Sequence, residues 1–321
     1  MRVVVTGAAG FIGSHLCERL LADGHQVVGI DSFSDFYDRR LKEMNLEVAL
    51  ENRNFALEEL DLHHAYVRKV LRGAEVVFHL AGLDGVSPSW GDHFDRYVED
   101  NVVATQRLLE AMRSEDAGPL VFASSSSVYG EAEMLPTKES AVPRPSSPFG
   151  MTKLAAEHLV FVYMRNFGIP ATSLRYFTVY GPRQRPDMAF TRFMHAIVDD
   201  AEIEIFGDGE QTRDFTYVSD AVDATARAAS ADVAGQIVNI GGGSRVTVNR
   251  VLDTLEEVTG LTARRKLLPA APGDPRHAGA SINLAREKLG WEPRVSLRDG
   301  LSRQWGWFEE TRKAARASTN A

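Results

Sequence analysis

Three glycines, Gly7, Gly10 and Gly13, follow the apolar run RVVVT and open the stretch GAAGFIGSHL. Glycine at this spacing suits a turn with unusual dihedrals and lets main chain approach a pyrophosphate closely. The helix that follows would offer free N–H groups and the positive end of its dipole to phosphates. Asp31 closes the next apolar run, HQVVGID, at the distance expected of a carboxylate that binds adenosine ribose hydroxyls and repels a 2′-phosphate. The pattern points to a dinucleotide site and favours NAD over NADP. A second group lies in SSPFGMTKLAAEH, where Phe149 precedes Lys153 by four residues. That spacing puts both on one helix face. A phenyl ring has no exchangeable proton, so Phe149 cannot serve as an acid or base.

These residues need a frame, and the hydrophobic pattern supplies one. RVVVTG precedes a helical pattern over 14–22, and HQVVGID precedes a polar helical stretch near 39–50. AEVVFHLAG precedes a long helix over roughly 93–113, GPLVFASSS precedes the helix carrying Lys153, and PATSLRYFTVYG follows it. Strand–helix alternation with near-continuous apolar strands predicts an α/β fold, a Rossmann doubly wound parallel sheet covered on both faces. After Gly181 the rhythm changes to loops rich in Pro, Arg and Gly, while QIVNIGGG reads as one more strand returning to the sheet. The expected division is a Rossmann domain over 1–178 plus about 216–242, and a smaller interleaved C-terminal substrate lobe over about 179–215 plus 243–310. The small polar residues of 311–321 predict a loose tail.

With 321 residues, 44% of them hydrophobic and 25% charged, the chain has ordinary globular composition. A net charge of −8 argues against nucleic-acid or anionic-membrane binding. The one cysteine, Cys17, excludes an intrachain disulfide and fits a reducing cytoplasm. No apolar run reaches about 18 residues, and the strand beginning at the third residue leaves no room for a signal peptide. The nine histidines lack ligand spacing, so no metal is expected.

Taken together, TGAAGFIGSHL, FHLAG, DNVVATQRLLEA, SSSSVYG, PFGMTKLAAEH, LRYFTVYGPRQRPDMAF, TRDFTYVSD and GDPRHA resemble the extended short-chain dehydrogenase/reductases. Within them they resemble the nucleotide-sugar 4-epimerases, with UDP-glucuronate 4-epimerases the closest subgroup. The resemblance covers residues 1 to about 308. It implies a reaction in which NAD takes hydride from C4 of the sugar while a base removes the hydroxyl proton; the 4-keto sugar turns over and hydride returns to its other face. It also implies a cofactor site formed by Gly7, Gly10, Phe11, Ile12, Gly13, Asp31, Asp61, Leu62, Leu80, Ala81, Asn101, Lys153 and Tyr176.

The family's base is a tyrosine four residues before the lysine, whose charge lowers the tyrosine pKa. Lys153 matches the lysine and Ser125 the hydroxyl residue that bonds the sugar O4, but the base position holds Phe149. Three readings of that departure stand. One is a deliberately disabled variant that traps substrate, which the intact surroundings favour. Another is a natural pseudoenzyme or binding protein, and the third is an active enzyme with another base, such as Tyr129 or a water.

For the substrate, the resemblance implies a UDP-sugar. Arg213 and Arg276 match positions that clasp the pyrophosphate, a task suited to the planar guanidinium fork. Asp274 matches a position near the uridine ribose, and Phe206 lies in the uracil-contacting segment. Related dehydratases carry Asp-Glu where this chain has Ser126 and Ser127, which argues against dehydration. TVYGPRQRPDM resembles the uronate enzymes, whose arginine at the Arg185 position meets the C5 carboxylate; Thr178, Ser126 and Ser127 would add hydrogen bonds, and Arg192 is a second candidate. UDP-glucuronate and UDP-galacturonate are therefore the expected pair. UDP-glucose epimerisation and UDP-glucuronate decarboxylation are the alternatives, the latter because a 4-keto uronate is a β-keto acid. Ser87 stands where many relatives have arginine, and Leu83 and Asp84 before it are also unusual, in a segment beside the family's sugar site. Cys17 and the pair His63-His64 read as packing and surface residues, and Arg39 and Arg40 as a solvated helix face. The apolar faces of the helices around 93–113 and 149–165 exceed what one sheet face needs, and the resemblance implies that they form a dimeric four-helix contact, hence a homodimer.

Overall fold

The computed structural model describes residues 1–229 and 231–319. Its centre is a seven-stranded parallel sheet. Six strands enter in the first 176 residues: β1 (Arg2–Thr6), β2 (Gln26–Asp31), β3 (Phe55–Glu59), β4 (Val76–His79), β5 (Leu120–Ser125) and β6 (Ala171–Tyr176). The strand Ile237–Ile240 adds to β6, so the spatial order from that edge runs Ile237–Ile240, β6, β5, β4, β1, β2, β3. Successive residues of one strand feed opposite cores. Val3 and Val5 face the layer holding the helices Phe11–Ala22 and Val218–Arg227. Val4 faces the layer of Val67–Leu71, Ala104–Glu115 and Pro148–Phe167. This two-faced burial explains the near-continuous apolar runs read in the sequence.

The chain order reverses between β1 and β4, and ligands of open α/β sheets bind outside the strand C-termini at such a switch point. A buried network ties the two strand ends there. The His79 ring bridges the hydroxyls of Thr6 (2.7 Å) and Thr105 (2.9 Å), while the Thr6 hydroxyl accepts from the Ala81 amide (3.2 Å). Burial, with Lys153 nearby, lowers the His79 pKa to about 3, so the ring stays neutral.

The C-terminal half adds small two-stranded pairs outside the main sheet: Val179–Tyr180 with Thr216–Tyr217, Thr212–Asp214 with Arg245–Thr247, and Ile203–Phe206 with Arg265–Leu268. Among the described residues no helix is long and apolar enough to cross a membrane.

Two sequence expectations differ from this architecture, and one strand was not anticipated. The helix over 93–113 is not continuous: α-helical turns at Phe94–Tyr97 and Ala104–Glu115 flank a π-helical stretch, Val98–Val103. The wider turn carries the buried Asn101, which holds the main chain of Leu83. The edge strand β3 escaped notice because FALEE lacks a buried face, its residues being half-buried or exposed. The tail expected to be loose from 311 is helical to Thr319, a continuation of Leu297–Thr319; Arg, Lys and Ala are strong helix formers. Residues 320 and 321 lie outside the described residues.

Candidate functional site

The glycine loop starts where β1 ends. Gly7 has φ +71°, and a Cβ there would stand 2.7 Å from the Ala81 amide nitrogen. A Cβ on Gly13 would stand 2.0 Å from the Gly7 carbonyl oxygen. The helix Phe11–Ala22 begins behind Gly10 with no side-chain cap, leaving its first N–H groups for a ligand. Asp31, at the end of β2, accepts hydrogen bonds from the amides of Ala9 (3.0 Å) and Phe33 (2.9 Å). Burial raises its pKa, against the pull of those amides and of Lys42. The loop thus offers backbone donors for a pyrophosphate beside an oriented carboxylate for ribose hydroxyls.

From this loop a cavity of about 400 Å³ runs to the ends of β5 and β6. Its lining includes Gly7, Gly10, Phe11, Ile12, Gly13, Asp31, Asp61, Leu62, Leu80, Ala81, Lys153 and Tyr176 from the expected cofactor set. Asn101 does not line it. Its side chain instead bonds the Leu83 amide (2.8 Å), the Leu83 carbonyl (3.0 Å) and the Thr152 hydroxyl (3.0 Å), so it shapes the cavity from behind. Because Asp31 would meet a 2′-phosphate as a like charge, NAD is expected to bind roughly 10- to 100-fold tighter than NADP, the worth of a charged hydrogen bond lost and a repulsion gained. Equal affinities in calorimetry would remove Asp31 from that role.

Farther along, β5 delivers Ser125 and the short turn Ser126–Val128. The Ser125 hydroxyl accepts from the Ser127 amide (3.1 Å), which caps the turn and fixes the hydroxyl oxygen. The helix Pro148–Phe167 opposes it, begun by the Ser147 cap (3.1 Å to the Gly150 amide) and by proline at its first turn. Ser125, Ser126, Ser127, Phe149, Lys153 and Thr178 all line the cavity. Phe149 is 4% exposed and packs edge-on against Tyr97, with ring centroids 6.3 Å apart. Burial lowers the Lys153 pKa to about 8, opposed by the charges of Asp84 and Glu157. Glu157 sits one turn further on the same helix and pairs with Arg175 of β6 (2.5 Å), both side chains 2% exposed, while the Ser124 hydroxyl donates to it (2.7 Å). That buried group pins the Lys153 helix to β5 and β6.

Tyr129, weighed as a replacement base, is not placed for it. It is buried outside the cavity lining, donates its hydroxyl to Asn239 (2.7 Å), and has its pKa raised by burial.

Arg185 also lines the cavity and is held by two carboxylates, Asp187 and Asp84. The other expected nucleotide contacts lie outside this lining. Arg213 pairs with Asp274 (2.5 Å), and Arg276 pairs with Asp208 (2.8 Å). The Arg213 guanidinium also donates to the Arg276 carbonyl (3.3 Å), so Arg213, Asp274 and Arg276 form one neighbourhood. Phe206 ends the strand Ile203–Phe206, 40% exposed. Arg192 stands apart, in a separate small depression with Phe193, Ala196, Glu202, Ile203 and Glu204. Residues that line the main cavity but were not expected there include Phe36, Tyr37, Lys42, His63, Asp84, Asp100 and Met188. Of these Asp84 carried a signal, as an unusual residue beside Ser87, while His63, read as a surface residue, lines the cavity next to Asp61 and Leu62. Arg39 is engaged by Glu43 and Glu59, and Cys17 is fully buried with its thiol pKa raised, as their readings anticipated.

Comparison with known proteins shows what the whole chain is similar to. Residues 3–241 match the family described as the NAD dependent epimerase/dehydratase family. A Bacillus subtilis (strain 168) protein named as an uncharacterized UDP-glucose epimerase is 45% identical over 306 residues, spanning 95% of this chain and 96% of the relative. A UDP-glucuronate 4-epimerase of Thermodesulfobacterium geofontis is 37% identical over 311 residues, 96% of each chain. Among solved structures, a tyrosine-to-phenylalanine mutant of the Bacillus cereus UDP-glucuronic acid 4-epimerase, in complex with UDP-4-deoxy-4-fluoro-glucuronic acid and NAD, superposes with a TM-score of 0.94 at 43% identity. The match covers 97% of this chain and 100% of that one.

Proposed function

The chain belongs to the NAD-dependent epimerase/dehydratase family and is a UDP-sugar 4-epimerase by kinship, and from that premise we propose that it binds NAD and UDP-glucuronate in a site built for inversion to UDP-galacturonate, with turnover severely slowed by Phe149. The observation that carries the reading is the single cavity that joins the glycine loop to Ser125, Ser126, Ser127, Phe149, Lys153, Thr178 and Arg185. The loop fits a dinucleotide, since added Cβ atoms at Gly7 and Gly13 would fill the cradle. NAD, when bound, supplies the reversible acceptor for a hydride from the sugar C4.

The chain's own residues do the rest. Lys153 holds the nicotinamide ribose and keeps positive charge beside the reacting hydroxyl. Ser125 bonds the sugar O4. Phe149 occupies the base position and holds its shape, but takes no proton. Arg185, Thr178, Ser126 and Ser127 hold the uronate carboxylate. That grip would also keep the carboxylate out of the alignment that favours loss of CO₂ from a 4-keto uronate. Arg213 and Arg276 clasp the pyrophosphate, with Asp274 and Phe206 toward the uridine, all from the lobe formed by 179–215 and 243–310; Arg192 has a weaker claim, given its separate depression. Met151, Val162 and Phe167, exposed on the helix Pro148–Phe167, support the reading of a homodimer.

A neutral hexose is the second reading. It is favoured by the two carboxylates already on Arg185 and by the similarity to the Bacillus subtilis relative. Titration of the NAD-loaded protein with both nucleotide sugars separates the two. Arg185→Ala is expected to weaken UDP-glucuronate by roughly 1.5–3 kcal/mol, the worth of a charged hydrogen bond, with a smaller effect on UDP-glucose. Equal loss for both sugars would overturn the uronate reading.

A further inference from the structure

Arg185 has five N–H donors, and most are already taken. Asp187 grips one edge as a fork, accepting from Nε (3.0 Å) and Nη2 (2.8 Å). Asp84 occupies the other edge: its carboxylate accepts from Nη1 (3.2 Å) and its backbone carbonyl from Nη2 (3.4 Å). One Nη1 proton is left. The guanidinium also has the Phe36 ring 5.4 Å from it, and the Arg185 side chain is only 14% exposed, so little of it is open to another partner.

The two carboxylates are not equivalent. Asp187 is two residues from Arg185 and holds it bidentately, the arrangement that fixes a guanidinium plane. Asp84 makes one longer side-chain contact and is 48% exposed. It belongs to a turn whose main chain is held independently, by Asn101 on Leu83 and by the Tyr97 hydroxyl on the Asp84 carbonyl (3.3 Å). Its carboxylate can therefore leave Arg185 by side-chain rotation while the turn stays in place.

We propose that Asp84 is an internal competitor for Arg185, and that it sets how strongly the sugar pocket takes a uronate relative to a neutral hexose. The proposal rests on the reading of Arg185 as the carboxylate's partner. A uronate brings a third carboxylate to one guanidinium. To gain a two-point contact it must displace Asp84 from the Nη1 edge and then share the pocket with a like charge. A hydroxymethyl group at C5 needs neither displacement nor charge sharing. Selectivity of this kind comes from a repulsive element as much as from an attractive one. Removing the Asp84 charge frees that edge and relieves the repulsion, and both changes favour the uronate alone.

The test is the ratio of dissociation constants for UDP-glucuronate and UDP-glucose, measured calorimetrically on NAD-loaded wild-type, Asp84→Asn, Asp84→Ala and Arg185→Ala proteins. Asn keeps the shape without the charge, and Ala guards against a new amide contact. NAD content and unfolding midpoints confirm that each variant is folded. In both Asp84 variants the ratio is expected to shift toward the uronate by about tenfold or more, since one decade corresponds to about 1.4 kcal/mol. If Arg185→Ala is selective for the uronate but both Asp84 variants leave the ratio within about twofold of wild type, the competitor role is wrong and the uronate reading survives. If Arg185→Ala weakens both sugars alike, the uronate reading falls and this inference with it.

Discussion

Phe149→Tyr is expected to raise the rate of C4 inversion by at least about 10²-fold, with little change in nucleotide-sugar binding. A positioned base typically contributes on the order of 10²–10⁴-fold, and here one group would serve both hydride transfers. The site has kept what such a base requires. Phe149 and Lys153 share the cavity face of the helix Pro148–Phe167, and the helix is pinned to the sheet by Glu157, Arg175 and Ser124. A cationic Lys153 would lower the pKa of a phenol beside it, and its own pKa of about 8 leaves it mostly protonated at neutral pH. The Phe149 ring is already buried against Tyr97 and Leu83, so the variant adds a single oxygen to an existing shape. The measurement is conversion of UDP-glucuronate to UDP-galacturonate, with CO₂ release followed in parallel. CO₂ as the main product would move the assignment to a decarboxylase. An unchanged rate would mean that the base is elsewhere or that the fold serves binding alone, and the burial of Tyr129 narrows the first of those options to water or another cavity residue.

Much of this was legible because it depends on local rules. The glycine spacing, the acid ending the second strand and the two-faced apolar strands each reflect one segment's own constraint, and the structure joins β1 and β2 in register as those rules require. The four-residue step from Phe149 to Lys153 likewise fixes a shared helix face without knowledge of any other segment. What escaped was relational. That Asp84 meets Arg185, 101 residues away, follows from the turn at Leu83 being held by a π-helical Asn101, and no periodicity announces a π turn. Tyr129 reads as a candidate base close to the serines in sequence, yet its partner Asn239 arrives from the last strand of the sheet. Arg192 follows the helix Ala189–Val198 to a different depression from Arg185 of the preceding loop, because nearness in sequence does not fix which way a helical side chain faces.

Gly13→Ala is expected to strip the protein of NAD and to lower its stability, whereas Gly306→Ala should do neither. Both glycines lie in helices, Phe11–Ala22 and Leu297–Thr319. Propensity alone would make both substitutions stabilising, by about 0.8–1.0 kcal/mol. Space decides otherwise. Around Gly306 an added Cβ meets nothing within 4 Å, so the propensity gain stands. At Gly13 the same atom would lie 2.0 Å from the Gly7 carbonyl oxygen and 2.8 Å from its carbon. These are backbone atoms and cannot rotate away, so the loop or the helix must shift. Overpacking of a tight site costs roughly 1–3 kcal/mol, which outweighs the propensity gain over most of that range. The shift also lands on the segment whose amides would face the pyrophosphate, between Gly7 at the end of β1 and the first turn of the helix. Cofactor loss should therefore exceed what the stability change alone implies. The measurements are the NAD released per chain on denaturation and the unfolding midpoint with saturating NAD. A Gly13→Ala protein that retains a full complement of NAD at an unchanged midpoint would show that the loop yields without cost, and the close helix–strand packing would then not be what holds the cofactor.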